Sequence, residues 1–264
     1  MSNGKIDVNE IIINTQIEGE IDAPWVTFSH SLATDHTMFD EQASALRERY
    51  NVLRFDTRGH GQTDAPTGPY SWDQLVRDVV GLWDALGIHQ SHFVGLSMGG
   101  MIGIGVALDY SDRLLSLTAC DCRSDAPGFF QDMWSQRQSG VQEKGMSAVV
   151  DMTLATWFTE ARLAEGDKLI DDVRAMILNT PVSGYMGCTD ALKTLDYKRR
   201  LGEINTPTQF IVGANDGPHP DEMKTMCNLV SNSKLHVIPN AAHLSNLEQP
   251  SAFNNLIEEF LSDK

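Results

Sequence analysis

Short apolar runs alternate with stretches of helical period along most of this chain. Trp25 to Ser29, Asn51 to Phe55, His92 to Leu96, Leu114 to Ala119, Thr208 to Gly213 and Lys234 to Ile238 read as buried strands bounded by turn residues. Between them, Met38 to about Arg49, Trp72 to Leu86 and Met98 to Leu108 carry helical patterns. In the second, Trp72, Leu75, Val76, Val79, Trp83 and Leu86 fall on one face, which predicts a helix packed on a sheet rather than a ligand-binding stripe. Strand–helix–strand alternation of this kind predicts an α/β fold with a mostly parallel sheet flanked by helices. The alternation stops at Pro127 and resumes at Pro207. The intervening segment reads as several helices rich in methionine and aromatic residues, so residues 1–126 and 198–264 are expected to form the core around a helical insertion at 127–197. No internal repeat or low-complexity segment interrupts this plan.

Composition narrows the function classes. With 20 Lys+Arg against 36 Asp+Glu over 264 residues, the formal net charge is −16. That balance argues against a nucleic-acid partner, which calls for a basic face, and against anionic membrane surfaces. The opening Met1-Ser2-Asn3-Gly4-Lys5 carries no apolar core of a signal peptide and no run reaches transmembrane length, so a cytoplasmic protein is expected. Cys120, Cys122, Cys188 and Cys227 lack the spacing of a zinc site. Free thiols, and no metal or organic cofactor, are the expectation.

The candidate chemistry starts at Gly95-Leu96-Ser97-Met98-Gly99, where an apolar run meets a serine with glycine two residues to either side and a helix follows at once. A nucleophile elbow needs this context: the turn is so tight that positions two residues away can hardly carry side chains, and it leaves the serine Oγ at a helix N-terminus. The N–H of Met98, next in the chain, is then a candidate donor to a developing oxyanion. A serine needs a base, and the base an acid. Asp216 follows the strand ending at Gly213, and His243 follows the strand ending at Ile238, giving the order Ser97, Asp216, His243. Asp121, just after Leu114 to Ala119, is the competing acid or a loop support. His60, His89, His92, His219 and His236 have no comparable setting and are expected at the surface or in strands. Gly59-His60-Gly61 lacks the lysine and spacing of a phosphate-binding loop.

Together with His30 to Asp35, Phe55-Asp56-Thr57-Arg58-Gly59-His60-Gly61, Trp157-Phe158-Thr159, Gly184 to Cys188 and Ala241 to Pro250, the elbow resembles the α/β-hydrolase superfamily and, within it, the 3-oxoadipate enol-lactonases. The likeness runs from about residue 25 to residue 261. It implies an α/β-hydrolase fold, a helical cap roofing the pocket, and a second oxyanion donor in the N–H of Leu32. Two departures stand out: Ala33 replaces a usual glycine, and Cys120-Asp121-Cys122-Arg123-Ser124 differs from the usual sequence at a strand end that faces the pocket.

By this resemblance the substrate is a small lactone or ester bearing a carboxylate. Arg137 and Arg123 are the candidate cations to hold it, since an arginine fork matches a carboxylate. Trp134, Trp157, Phe158 and Tyr185 are expected to line or support the cap. The expected activity is that of a serine hydrolase opening a lactone through an acyl-enzyme. A general carboxylesterase, or a hydrolase of another lactone or amide, is the alternative, with perhydrolase and carbon–carbon hydrolase chemistry further possibilities on one scaffold. A ligand-binding receptor on a hydrolase fold would have no use for all three of Ser97, Asp216 and His243.

Overall fold

A computed structural model describes residues 2–20 and 22–262. Its strands are β1 (Ser2–Val8), β2 (Ile11–Glu18), β3 (Trp25–Ser29), β4 (Asn51–Phe55), β5 (Ser91–Leu96), β6 (Leu114–Cys120), β7 (Thr208–Gly213) and β8 (Ser233–Ile238). They form one eight-stranded sheet in the order β1-β2-β4-β3-β5-β6-β7-β8. β1 pairs antiparallel with β2 and β2 antiparallel with β4, while every neighbouring pair from β4 to β8 is parallel. From β3 the chain moves to one side for β4 and then returns to the other side for β5. In open parallel sheets ligands bind beyond the carboxyl ends of the strands beside such a reversal. The loops after β3 and β5, which carry Leu32 and Ser97, emerge there.

Strand residues are apolar because both faces of a parallel sheet are covered. All six residues of β5 are buried, and so are all six of β7. The helices flanking the first half of the sheet are α1 (Asp40–Leu46), α2 (Trp72–Ala85) and α3 (Met98–Asp109). Ser71 caps α2 by accepting from the N–H of Gln74. Its apolar face lies on the sheet as the spacing predicts, and Trp83, fully buried, donates from Nε1 to Thr27 Oγ1 at 2.9 Å. Truncating a tryptophan in such a position typically costs about 3–5 kcal/mol. The helix expected from Met38 to Arg49 is shorter than its pattern. A 3₁₀ turn, His36–Phe39, capped by Asp35 through the N–H of Thr37, precedes α1, which ends at Leu46.

The segment between β6 and β7 folds as α4 (Gly128–Lys144), α5 (Val150–Trp157), α6 (Glu160–Glu165), α7 (Lys168–Asn179) and α8 (Val182–Leu192). It meets the core backbone to backbone. A Cβ on Gly184 would lie 1.9 Å from the carbonyl oxygen of Gly59, so a side chain there would lift α8 off the loop after β4. The chain then adds α9 (His219–Leu229), α10 (Ser245–Glu248) and α11 (Pro250–Ser262). None of the described helices is long and apolar enough to cross a membrane. All four cysteines are free, three of them buried.

Candidate active site

Ser97 sits between β5 and α3 at φ 55°, ψ −115°. A non-glycine residue at positive φ is strained by roughly 1–3 kcal/mol and persists only where its surroundings enforce it. Here they do. Its N–H donates to Cys120 O at 2.8 Å, which pins the turn to the end of β6. A Cβ at position 95 would lie 2.2 Å from Gly99 O, and one at position 99 would lie 1.9 Å from Ser29 O. Both glycines are therefore demanded by close backbone approach. Met98 is the first residue of α3, so its N–H has no intrahelical acceptor. The N–H groups of Leu32 and Met98 donate to no protein acceptor among the described residues.

Two buried imidazoles hold the loop carrying Leu32. His60 Nε2 accepts from the N–H of Ala33 at 2.9 Å, and His30 Nε2 accepts from the N–H of Thr57 at 2.8 Å. Burial pushes His60 down to about 3, with the neighbouring His30 acting in the same direction, so its ring is a neutral acceptor. Ala33 itself adopts φ 60°, the left-handed conformation that a glycine would take without strain. His60 thus serves the backbone geometry of the site, a role that its place in a turn sequence gave no means of reading.

Asp216 and His243 meet after their respective strands. The N–H of Asn215 donates to Ala241 O at 2.8 Å, tying the two loops, and His243 Nδ1 lies 2.9 Å from Asp216 Oδ2. Burial alone would push Asp216 up, but the charge of His243 and the donors from His219 and His243 hold it well below the usual carboxylate range. Trp157 stacks near the His243 ring at 6.2 Å between centroids. Glu248 fixes the same loop to the inserted helices, accepting from the N–H of Ala242 at 2.6 Å and from Thr159 Oγ1 at 2.7 Å.

Asp121 is committed elsewhere. Its Oδ1 accepts from the N–H of Gly213 at 2.8 Å and its Oδ2 from Ser245 Oγ, so it supports the end of β7 and makes no bond to His243. Burial and the adjacent Asp216 charge push its carboxyl well up.

His219 departs from the expectation of a surface or strand residue. It opens α9, and its Nδ1 lies 3.2 Å from Asp216 Oδ2, so two histidines share one carboxylate oxygen. The signal in the sequence was Asp216-x-x-His219, an i,i+3 spacing at a helix start.

Ser97, His243 and His219 line one cavity of about 270 Å³, together with Leu32, Arg123, Trp134, Arg137, Trp157 and Tyr185. Of the side chains predicted from the inserted segment, Arg137, Trp134, Trp157 and Tyr185 reach it, while Phe158 is buried and is not among its lining residues. The two arginines differ. Arg123, nearly fully buried, is paired with Glu222 at 2.8 Å and covered by the Phe130 ring at 4.2 Å. Arg137 lies over the Trp134 ring at 5.1 Å and pairs with no carboxylate among the described residues. Burial pushes the Tyr185 hydroxyl up to about 12 against the downward pull of Arg137. Trp134 Nε1 and the Tyr185 hydroxyl are buried without hydrogen-bond partners among the described residues.

Asp216, His219 and His243 offer three ligand atoms within 4.8 Å of one another, and Asp35, His36 and Asp56 offer another such set. In both, the histidine Nδ1 atoms already face a carboxylate at 2.7–3.2 Å, hydrogen bonds that satisfy these groups by themselves.

Comparison with known proteins agrees with this geometry. The family model for the alpha/beta hydrolase fold matches residues 24–250. A 3-oxoadipate enol-lactonase of Acinetobacter baylyi is 32% identical over 254 residues, 96% of this chain and 94% of that protein. The crystal structure of the enol-lactonase from Burkholderia xenovorans superposes with a TM-score of 0.92 at 32% identity, covering 97% of this chain and 98% of that one. A hydrolase from Pseudomonas aeruginosa gives a TM-score of 0.94 at 30% identity over 98% of both chains. The chain belongs to the α/β-hydrolase family and is a hydrolase similar to the enol-lactonases.

Proposed function

We propose that this protein is a serine hydrolase that opens a small carboxylate-bearing lactone through an acyl-enzyme, with Ser97 as nucleophile, His243 as base and Asp216 as the acid that orients it. The observation that carries the reading is the 2.9 Å bond between His243 Nδ1 and Asp216 beside a strained Ser97 in one cavity. With Nδ1–H held by Asp216, the other ring nitrogen is free to take the Ser97 proton. Oγ attacks the ring carbonyl, and the oxyanion is held by the N–H groups of Leu32 and Met98. The ring C–O bond then breaks, His243 returns the proton to the enol oxygen, and water activated by His243 releases the acid from Ser97. Loss of one oxyanion donor typically costs about 2.7–4 kcal/mol in barrier. No step calls for a metal or an organic cofactor. The lactone class rests on the likeness to the enol-lactonases, the carboxylate on the lining of the cavity.

Of the two arginines, Arg137 is the better partner for that carboxylate. Arg123 is already neutralised by Glu222, whereas Arg137, beside the Tyr185 hydroxyl, pairs with no carboxylate among the described residues, and Trp134 Nε1 at the same cavity has no acceptor there. In a chain of net charge −16, long-range repulsion works against an anionic substrate, so a local cation must supply the capture. A panel of an enol-lactone acid, a saturated lactone and simple esters, ranked by kcat/KM, tests the class; the enol-lactone acid should lead. Arg137→Ala should lower kcat/KM for the acid by about 10²-fold or more, the cost of unpairing a desolvated carboxylate, and hardly affect its methyl ester. Equal losses on both substrates would reduce Arg137 to a structural role and favour a general carboxylesterase.

A further inference from the structure

We propose that His219 is a positioning residue of this site: by sharing Asp216 Oδ2 with His243 it restrains the carboxylate, and in its charged form it opposes protonation of His243. The inference rests on the reading of Ser97, His243 and Asp216 given above, and it extends that reading to a second histidine.

The geometry defines the tautomer. His219 Nδ1 lies 3.2 Å from Asp216 Oδ2 and 3.2 Å from the Asp216 carbonyl oxygen. Both are acceptors, so Nδ1 carries a proton whether the ring is neutral or charged. Asp216 Oδ2 is therefore approached by two ring nitrogens from two different elements, hydrogen-bonded to His243 and in ion-pair contact with His219. His243 comes from the loop after β8, and His219 from the first turn of α9. The main-chain N–H of His219 also donates to Asp216 O at 2.9 Å, which closes the turn and leaves the ring little freedom. The two rings lie 5.4 Å apart between centroids, close enough for their charges to be felt mutually.

The charged groups around His219 are few. Asp216 acts on it from the turn after β7 and Glu222 from one turn further along α9, and the His243 ring faces it from the loop after β8. Arg123, at the end of β6, is engaged with Glu222. Asp121 lies beyond Asp216 and interacts with that carboxylate. Burial alone would lower His219, but the hydrogen bond and charge of Asp216, with Glu222, hold it above the ordinary histidine value.

In its charged form, 5.4 Å from the base between ring centroids and in contact with the same oxygen, His219 resists a second positive charge on His243. Removing His219 takes away both the neighbouring charge and the second claim on the carboxylate. Both changes act in the same direction, making His243 easier to protonate.

The test compares the acid limb of kcat/KM against pH, on a neutral activated ester, for the wild type, His219→Ala and His219→Asn. Asparagine places an amide N–H near the position of Nδ1 and does not titrate. The acid limb should move to higher pH by about half to one unit in His219→Ala. In His219→Asn it should lie between the other two, because the donor is kept and the charge is lost. Coincident limbs in all three proteins, or a limb that moves down, would overturn the proposal and leave His219 a structural residue. Should His219→Ala fail to fold, judged by its thermal melt, a limb for His219→Asn above that of the wild type supports the proposal and a limb at the wild-type position overturns it. Failure of the underlying reading looks different: Asp216→Asn would then retain near-wild-type turnover.

Discussion

Ser97→Ala is expected to lower kcat by about 10⁶-fold, the loss typical of removing the nucleophile from a Ser–His–Asp set. The protein should fold normally and still bind substrate. Alanine removes only Oγ, and the elbow is enforced by backbone contacts at Gly95, Gly99 and Cys120 that do not involve it. The melting temperature should hold or rise, since releasing a functional constraint seldom destabilises a protein. What remains of the rate should come from binding and the oxyanion donors alone. A kcat within tenfold of the wild type, measured on a p-nitrophenyl ester, would mean that no Ser97 acyl-enzyme lies on the path.

The second large effect separates the two buried aspartates. Asp216→Asn should reduce kcat by about 10⁴-fold, because an amide in place of the carboxylate favours the wrong histidine tautomer and no longer stabilises the imidazolium. Asp121→Asn should change kcat only a few-fold. The asparagine oxygen still accepts from the N–H of Gly213 and its amide can meet Ser245 Oγ, so both bonds of the carboxyl, whose charged form burial and Asp216 already disfavour, have replacements. The reverse ranking would transfer the acid to Asp121.

The distinction between these residues shows where sequence reasoning stops. Both follow an apolar strand, and local pattern treats them alike. Tertiary contacts separate them: Asp121 is taken up by Gly213 and Ser245, from 92 and 124 residues further along the chain, while Asp216 is met by His243. The pairing of Arg123 with Glu222, 99 residues apart, is equally invisible locally, and it is what distinguishes the two cavity arginines. His219 was legible in principle, through its spacing from Asp216, yet nothing in the spacing says that its ring turns back onto the carboxylate.

For the fold, the best-read elements are those buried on both faces. The bounds of β3, β4 and β7 coincide with their mostly apolar runs, as expected of covered parallel strands, and the polar side chains they carry, such as Arg54 and Gln209, are buried with hydrogen-bond partners. The β1–β2 hairpin escaped. β1 is Ser-Asn-Gly-Lys-Ile-Asp-Val, mostly polar at the sheet edge, and β2 alternates buried with more exposed positions, so neither makes a continuous run. The β1–β2 register, with Ile6 opposite Ile13, is set by the two-residue turn at Asn9 and Glu10, both at positive φ, and Ile17 then pairs with Leu53 of β4. The shortening of α1 likewise follows from a cap at Asp35 that hydrophobic spacing does not encode.

The acyl-enzyme at Ser97 is tested most directly by intact-mass spectrometry of the protein quenched in acid during turnover of a slow p-nitrophenyl ester, followed by peptide mapping. The account predicts a single added acyl group, carried by the peptide containing Ser97 and absent from Ser97→Ala. Turnover with no adduct in the wild type under conditions where deacylation limits the rate, or an adduct on another residue, would contradict it.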